Sequence, residues 1–291
     1  MTGRVVEARS IVVDGRLRTY TVVTPPDVRP GAALVLVFHG SNQSGEKVRR
    51  ASGRSFDALG AVVAYLDGYK GHWNDARRSS AFAARREGID DVAFTEAVIG
   101  AIAESHDVDR VYTVGYSNGG QMVIRLIHQI PQRIAGAAII AATQPVPDNF
   151  DLPAVPVTPL PVMLIHGTKD PLVPYEGGMA SLWGFRPRGL GRSAPETAEY
   201  YAARNAITAE PTSRHLPHRP ESGRTSVTRT DYRAAGRPPV TLYTVEGGGH
   251  VIPGPKKAPW IMGRTTRDLT AADAVAEFFT LAPSDIAATE G

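Results

Sequence analysis

Val111-Tyr112-Thr113-Val114-Gly115-Tyr116-Ser117-Asn118-Gly119-Gly120-Gln121-Met122-Val123-Ile124 joins a short apolar run to a stretch of helical character through Gly-x-Ser-x-Gly. A strand that turns sharply into a helix lifts a serine hydroxyl above the edge of a sheet, and the flanking glycines let neighbouring backbone come close. The start of the helix points amide N–H groups at any oxyanion that forms there. By itself the pentapeptide is a common turn. Between a buried strand and a helix it marks Ser117 as a candidate nucleophile and the amide of Asn118 as an oxyanion donor.

The same alternation repeats outward along the chain. Ala33 to Phe38, Ala61 to Leu66, Arg110 to Val114, Ala137 to Ala141, Pro161 to Ile165 and Val240 to Val245 are short, continuous apolar runs, as expected of strands buried on both faces. Helical spacing recurs at Ile89, Val92, Ala93, Ala97, Val98, Ala101 and Ile102, over Asn118 to Gln129 and Asp268 to Phe279, and more weakly over Ala194 to Asn205. Such alternation predicts the α/β class, with a mostly parallel central sheet and helices on both faces. Two strands around Asp14-Gly15 precede it as a hairpin. Residues 1–291 read as a single domain. Met179 to Pro239, rich in Gly, Pro, Ser and Arg with one strand at Thr225 to Tyr232, is an elaboration between core strands, and Ala282 to Gly291 reads as a frayed tail.

Composition narrows the chemistry. The 291 residues hold 32 Lys+Arg against 29 Asp+Glu, a formal charge of +3, so no basic block argues for nucleic acid. Arg77-Arg78 with Arg85-Arg86 reads as a solvated face. With no cysteine, thiolate metal sites, disulfides and a Cys nucleophile are excluded, and eight histidines carry any imidazole chemistry. Arg4, Glu7 and Arg9 interrupt any secretory signal at the start, and no apolar run is long enough to span a bilayer. The expectation is therefore a cytoplasmic protein without a membrane or nucleic-acid partner.

Two further strand ends carry polar groups. Pro161-Val162-Met163-Leu164-Ile165-His166-Gly167-Thr168-Lys169-Asp170 is a buried strand running into a turn that ends on a carboxylate, and Val245-Glu246-Gly247-Gly248-Gly249-His250 is a strand followed by a flexible turn and an imidazole. Nucleophile, acid and base then follow as Ser117, Asp170, His250, the chain order of α/β-hydrolases. Asp148 and Asp151 are rival acids. Phe38-His39-Gly40-Ser41-Asn42-Gln43 ends the first core strand where a second oxyanion donor is needed. The amide of Ser41 is assigned to it, with Asn42 as the alternative, and His39 is given a structural hydrogen-bonding role. The remaining histidines show no metal spacing, so neither metal nor organic cofactor is expected.

Residues 33 to 281 resemble the α/β-hydrolase group of feruloyl esterases, acetyl-xylan esterases and polyhydroxybutyrate depolymerases. The resemblance rests on Phe38-His39-Gly40-Ser41-Asn42-Gln43-Ser44, Asp67-Gly68 with Trp73-Asn74, Gly88-Ile89-Asp90-Asp91-Val92 and Gly115-Tyr116-Ser117-Asn118-Gly119-Gly120. It continues through His166-Gly167-Thr168-Lys169-Asp170 with Pro174-Tyr175-Glu176-Gly177-Gly178, and Gly247-Gly248-Gly249-His250 with Pro253-Gly254. Members of the group usually carry a secretion signal. Many have cysteine where Ser41, Ser79 and Ser80 stand, and Thr-Trp where Val251-Ile252 stand. These departures point away from a secreted polymer-degrading role and toward a soluble small-molecule ester.

The combined expectation is a serine carboxylesterase hydrolysing short-chain acyl or aryl esters, feruloyl-like or hydroxyalkanoate, through an acyl-enzyme. The alternatives are an acyltransferase or thioesterase with the same triad, or a non-catalytic binding protein on the same fold. Trp73, which the resemblance places near the crevice, Tyr116 and Val251 are the candidate substrate-binding residues, with packing under a loop as the alternative for Trp73 and with Trp183 and Trp260 as further indoles. Val251 and Ile252 beside His250 predict an apolar pocket.

Overall fold

In the computed structural model, which describes residues 3–153, 155–181 and 184–281, the apolar runs become the middle of a ten-stranded sheet. The chain begins with β1 (Val5–Val13) and β2 (Arg16–Thr24), paired antiparallel about Asp14 and Gly15. Both turn residues have positive φ, 49° and 72°, the geometry that matches the twist of a tight hairpin. β3 (Ala32–Phe38), α1 (Gly45–Ala51), β4 (Val62–Leu66), α2 (Ala83–Arg86), α3 (Asp91–Ser105), β5 (Val108–Tyr116) and α4 (Asn118–Gln129) follow. Next come β6 (Gly136–Ile140), β7 (Val162–Gly167), the two-residue strands β8 (Gly178–Met179) and β9 (Leu190–Gly191), and α5 (Ala194–Arg204). The chain closes with β10 (Thr212–His215), β11 (Ser226–Tyr232), β12 (Val240–Glu246) and α6 (Ala271–Phe279).

The sheet order is β1-β2-β4-β3-β5-β6-β7-β12-β11-β10. From β4 to β12 neighbouring strands are parallel, and the pairs at each flank are antiparallel. Alternate side chains of one run serve opposite faces. Leu34, Leu36 and Phe38 pack with Phe94, Val98 and Ile102 of α3, Met122 of α4 and Tyr201 of α5. Val35 and Val37 pack with Val48 of α1 and with Val275 and Phe279 of α6. A run apolar at every position is thus what a strand covered on both sides requires.

The segment 179–239 supplies α5 to one cover and β10 and β11 to the sheet edge. The expected tail from 282 onward lies outside the described residues. The decisive topological feature lies at β3. Its successor β4 pairs on one side while β5 pairs on the other, so a crevice opens beyond the carboxyl ends of β3 and β5.

Candidate active site

Ser117 stands at that crevice, between the last residue of β5 and the first of α4, with φ 56° and ψ −116°. A non-glycine residue there costs about 1–3 kcal/mol and persists only where the surroundings over-determine it. Gly115 and Gly119 supply that constraint. A Cβ on Gly119 would lie 2.1 Å from the carbonyl oxygen of Phe38, and one on Gly115 2.2 Å from that of Gly119, so only hydrogen fits at either position.

His250 and Asp170 converge on the serine from the ends of β12 and β7. His250 Nδ1 lies 2.7 Å from Asp170 Oδ2, and its Nε2 lies 2.8 Å from Ser117 Oγ. A carboxylate only accepts, so Nδ1 carries the proton and Nε2 is left to accept from the serine hydroxyl. The other carboxylate oxygen of Asp170 accepts the amides of Leu172 and Val173, both at 2.8 Å, which fixes its rotamer. Burial works against the Asp170 charge, but the electrostatic pull and hydrogen bond of His250, with His166 and the Val173 amide, outweigh it and hold the carboxyl below its usual range. His166, buried beside it, donates Nε2–H to the Val173 carbonyl.

The imidazole is also held through its backbone. The His250 amide donates to Met262 O at 2.7 Å, and Tyr116 Oη donates to His250 O at 2.9 Å. The Tyr116 ring is buried, and burial pushes its phenol above the usual range, so it stays a neutral donor. Tyr116 therefore braces the histidine turn instead of forming a pocket wall, and Val251, likewise buried, lies off the cavity at Ser117.

Of the two candidate amides after β3, that of Asn42 donates to Gly71 O at 2.9 Å and is already used, while that of Ser41 makes no hydrogen bond to the protein among the described residues. The same holds for the Asn118 amide at the start of α4. His39 has the structural role expected of it. Its Nδ1 donates to Gly40 O at 2.7 Å, its Nε2 accepts the Gly68 amide at 2.9 Å, and burial lowers it to about 4. Asp148 is exposed, and Asp151 pairs with Arg78 and Arg85, so neither rival acid reaches the histidine.

Trp73 corrects the sequence-based expectation of a pocket wall. It is 0% exposed, its Nε1 donates to His39 O at 2.9 Å, and its ring stands edge-on to Phe38 at 5.1 Å. It is the packing beneath the turn that follows β3. Trp260 is 88% exposed, and Trp183 lies outside the described residues.

The side chain of Asn118 ties the elbow to the same layer. Its Oδ1 accepts the Trp73 amide at 3.0 Å, and its Nδ2 donates to Asp75 Oδ2 at 2.6 Å. Asp75 in turn holds Arg77 through Nε and Nη2. Arg77 is therefore buried, not part of a solvated face, and together with Arg188 it lines the cavity that opens at Ser117. That cavity also meets Ala142, Leu172 and Val173 and has a volume of about 30 Å³. Most of the surface lining it is apolar, as expected, and these two cations interrupt it. Asp75-x-Arg77 was visible as a spacing, but Arg188 lies in a stretch without any period. Among the described residues no group of three or more His, Asp or Glu is placed to hold a metal ion, and no helix is long and apolar enough to cross a membrane.

Comparison with known proteins places the chain among esterases. Residues 68–182 match the phospholipase/carboxylesterase family model. The chain is 32% identical over 288 residues to "Putative esterase NocK" of Nocardia uniformis subsp. tsuyamanensis, covering 93% of this chain and 81% of that protein. It is 29% identical over 231 residues to feruloyl esterase B of Piromyces equi, spanning 75% of this chain but 39% of the relative. Acetyl xylan esterase from Aspergillus awamori superposes over 95% of this chain and all of its own, with a TM-score of 0.59 at 12% identity, a likeness of fold.

Proposed function

Because the chain belongs to the α/β-hydrolase esterase family and is a carboxylic ester hydrolase, we propose that it works through a serine acyl-enzyme on small-molecule esters with a short acyl group. Ser117 Oγ attacks the ester carbonyl while His250 Nε2 takes its proton. His250 then returns that proton to the departing alcohol oxygen. Asp170 fixes the tautomer and stabilises the imidazolium. The amides of Ser41 and Asn118 hold the developing oxyanion, each contributing about 3 kcal/mol where such donors have been removed in other enzymes. Water then attacks the acyl carbon while giving a proton to His250, the acyl–Oγ bond breaks to release the acid, and His250 returns the proton to Ser117 Oγ.

The observation that carries this reading is the hydrogen-bonded line from Ser117 through His250 to Asp170, at 2.8 and 2.7 Å. The preference for short acyl groups rests on the cavity of about 30 Å³ beside Ser117. Nitrophenyl esters of graded acyl length, assayed beside methyl ferulate, test both. Acetate should lead, and Ser117→Ala should lower turnover about 10⁶-fold, the loss seen on removing the serine of subtilisin. Parent-rate hydrolysis by that variant overturns the proposed nucleophile.

A further inference from the structure

Arg188 reaches the site from the loop between β8 and β9, half-buried, and donates Nη1–H to Ser41 Oγ at 3.0 Å. Its guanidinium lies 4.9 Å from the centre of the Phe82 ring, on which His72 stacks at 4.0 Å. On the far side of Arg77 and Arg188 a second cavity of about 510 Å³ opens, lined also by Lys70, Arg86, Arg186 and Phe82. Among the described residues no Asp or Glu lines it. Arg77 is answered by Asp75 and Lys70 by Glu87. Arg86, Arg186 and Arg188 pair with no carboxylate among the described residues.

A half-buried guanidinium presents a planar fork of donors that stays charged at every working pH, and such forks match a carboxylate two-pronged. Here the fork stands over an aromatic floor, among other cations, beside the turn that carries the proposed oxyanion donor. Burial and the neighbouring charge of Arg77 lower the Arg188 pKa, so an anion at this place relieves a repulsion that the free protein carries. The cavity at Ser117, about 30 Å³ against about 510 Å³ for this second one, suits the acyl chain and leaves the larger, cation-lined space for the rest of the ester. The charge therefore belongs to the other half of the ester.

We propose that the substrate is a short-chain ester of an alcohol or phenol that bears a carboxylate, and that Arg188, with Arg186 at the rim, seats that carboxylate over Phe82. The inference rests on the esterase reading above and adds the class of leaving group. The acyl C–O bond breaks, water supplies the hydroxyl of the released acid, and its proton leaves with the carboxylate-bearing alcohol.

The test compares 4-acetoxybenzoate with methyl 4-acetoxybenzoate, each kcat/KM divided by the spontaneous hydrolysis rate of that ester. The full-length enzyme should favour the carboxylate at least about tenfold, the discrimination that one charge-assisted hydrogen bond supplies. Arg188→Gln should bring the ratio close to one, Arg188→Lys should keep part of it, and Arg186→Gln should lower it by a smaller factor. Added salt should erode the ratio, because the neutral ester has no charge to screen. Equal normalised rates in the parent enzyme, or a ratio indifferent to every one of these changes, overturn the proposal. A preference for 4-nitrophenyl hemisuccinate over 4-nitrophenyl butyrate, with none among the acetoxybenzoates, overturns the assignment to the alcohol side. Calorimetric binding of 4-hydroxybenzoate against 4-hydroxybenzamide to Ser117→Ala reads the same preference without turnover. If no ester is hydrolysed while that binding preference holds, the esterase reading fails and the anion site stands.

Discussion

Ser117, Asp170 and His250 follow within four residues of the ends of parallel strands, whereas Arg77 and Arg188, which line the two cavities, ride on connections between elements. The first group is fixed by sheet register and by backbone hydrogen bonds such as His250 N–H to Met262 O and the Leu172 and Val173 amides to Asp170. The second sits on isolated backbone contacts, Arg188 N–H to Ala180 O and the bridge between Arg77 and Phe150, and its guanidinium groups are held by side chains, Asp75 for Arg77 and Ser41 for Arg188. Chemistry placed on the scaffold tolerates little displacement, while recognition placed on loops can change without disturbing it.

The largest effect that sharpens this contrast is expected at Asp170→Asn. The amide can still accept the Leu172 and Val173 protons, so the fold survives, but the imidazole is held in the wrong tautomer and turnover falls about 10⁴-fold, as in the serine-protease example. Steady-state kinetics with nitrophenyl acetate read this directly, and Asp148→Asn, exposed and remote, serves as the control. A mild phenotype at Asp170 with a severe one at Asp148 would move the acid to the earlier turn.

Trp73→Ala comes next, and it strikes stability. Truncating a fully enclosed indole costs about 3–5 kcal/mol, read as a lower urea midpoint. The order of ester preference should persist in whatever folded protein remains. A changed order with an unmoved midpoint would return Trp73 to the pocket wall.

Acid should loosen the scaffold half through two buried imidazoles. His39 and His128 are both lowered to about 4 by burial. Between that value and the ordinary value of about 6.5 the unfolded chain binds protons that the folded one refuses, so stability rises with pH across this window. Denaturant titrations at pH 7 and pH 5 should differ by a few kcal/mol at most, and His128→Gln should shrink the difference. A stability that is flat from pH 7 to pH 5 contradicts the neutral burial of both rings.

The smallest effect is expected at Tyr116→Phe, which removes the hydroxyl that donates to His250 O and leaves the ring in place. A loss of about 1 kcal/mol, a few-fold in kcat with KM unchanged, is what one hydrogen bond acting through the histidine turn provides. A change confined to KM would put Tyr116 against the substrate instead.

What could be read from the chain alone follows the same division. Strand, turn and functional group are contiguous at Val111 to Gly119, at Pro161 to Asp170 and at Val245 to His250, so local pattern was enough to bring out Ser117, Asp170 and His250. Arg188 depends on Ser41 and Phe82, more than a hundred positions away, and no local period announces it. Trp73 failed for a related reason. A sequence gives the size of an indole but not its depth, which is decided here by the partners of its ring and its amide. The edge strand β10 also escaped, because its four residues are all exposed and carry no hydrophobic alternation.

The enclosure of Trp73 has an optical consequence. Its indole N–H is bound to the carbonyl of His39, on the turn that carries Ser41, while Trp260 sits almost wholly in water. In a Trp183→Phe, Trp260→Phe background the remaining emission comes from one dry indole beneath the Ser41 turn, out of reach of soluble quenchers. Movement of that turn as an acyl group arrives or departs then changes the light emitted, and acylation can be timed on esters whose alcohol has no colour.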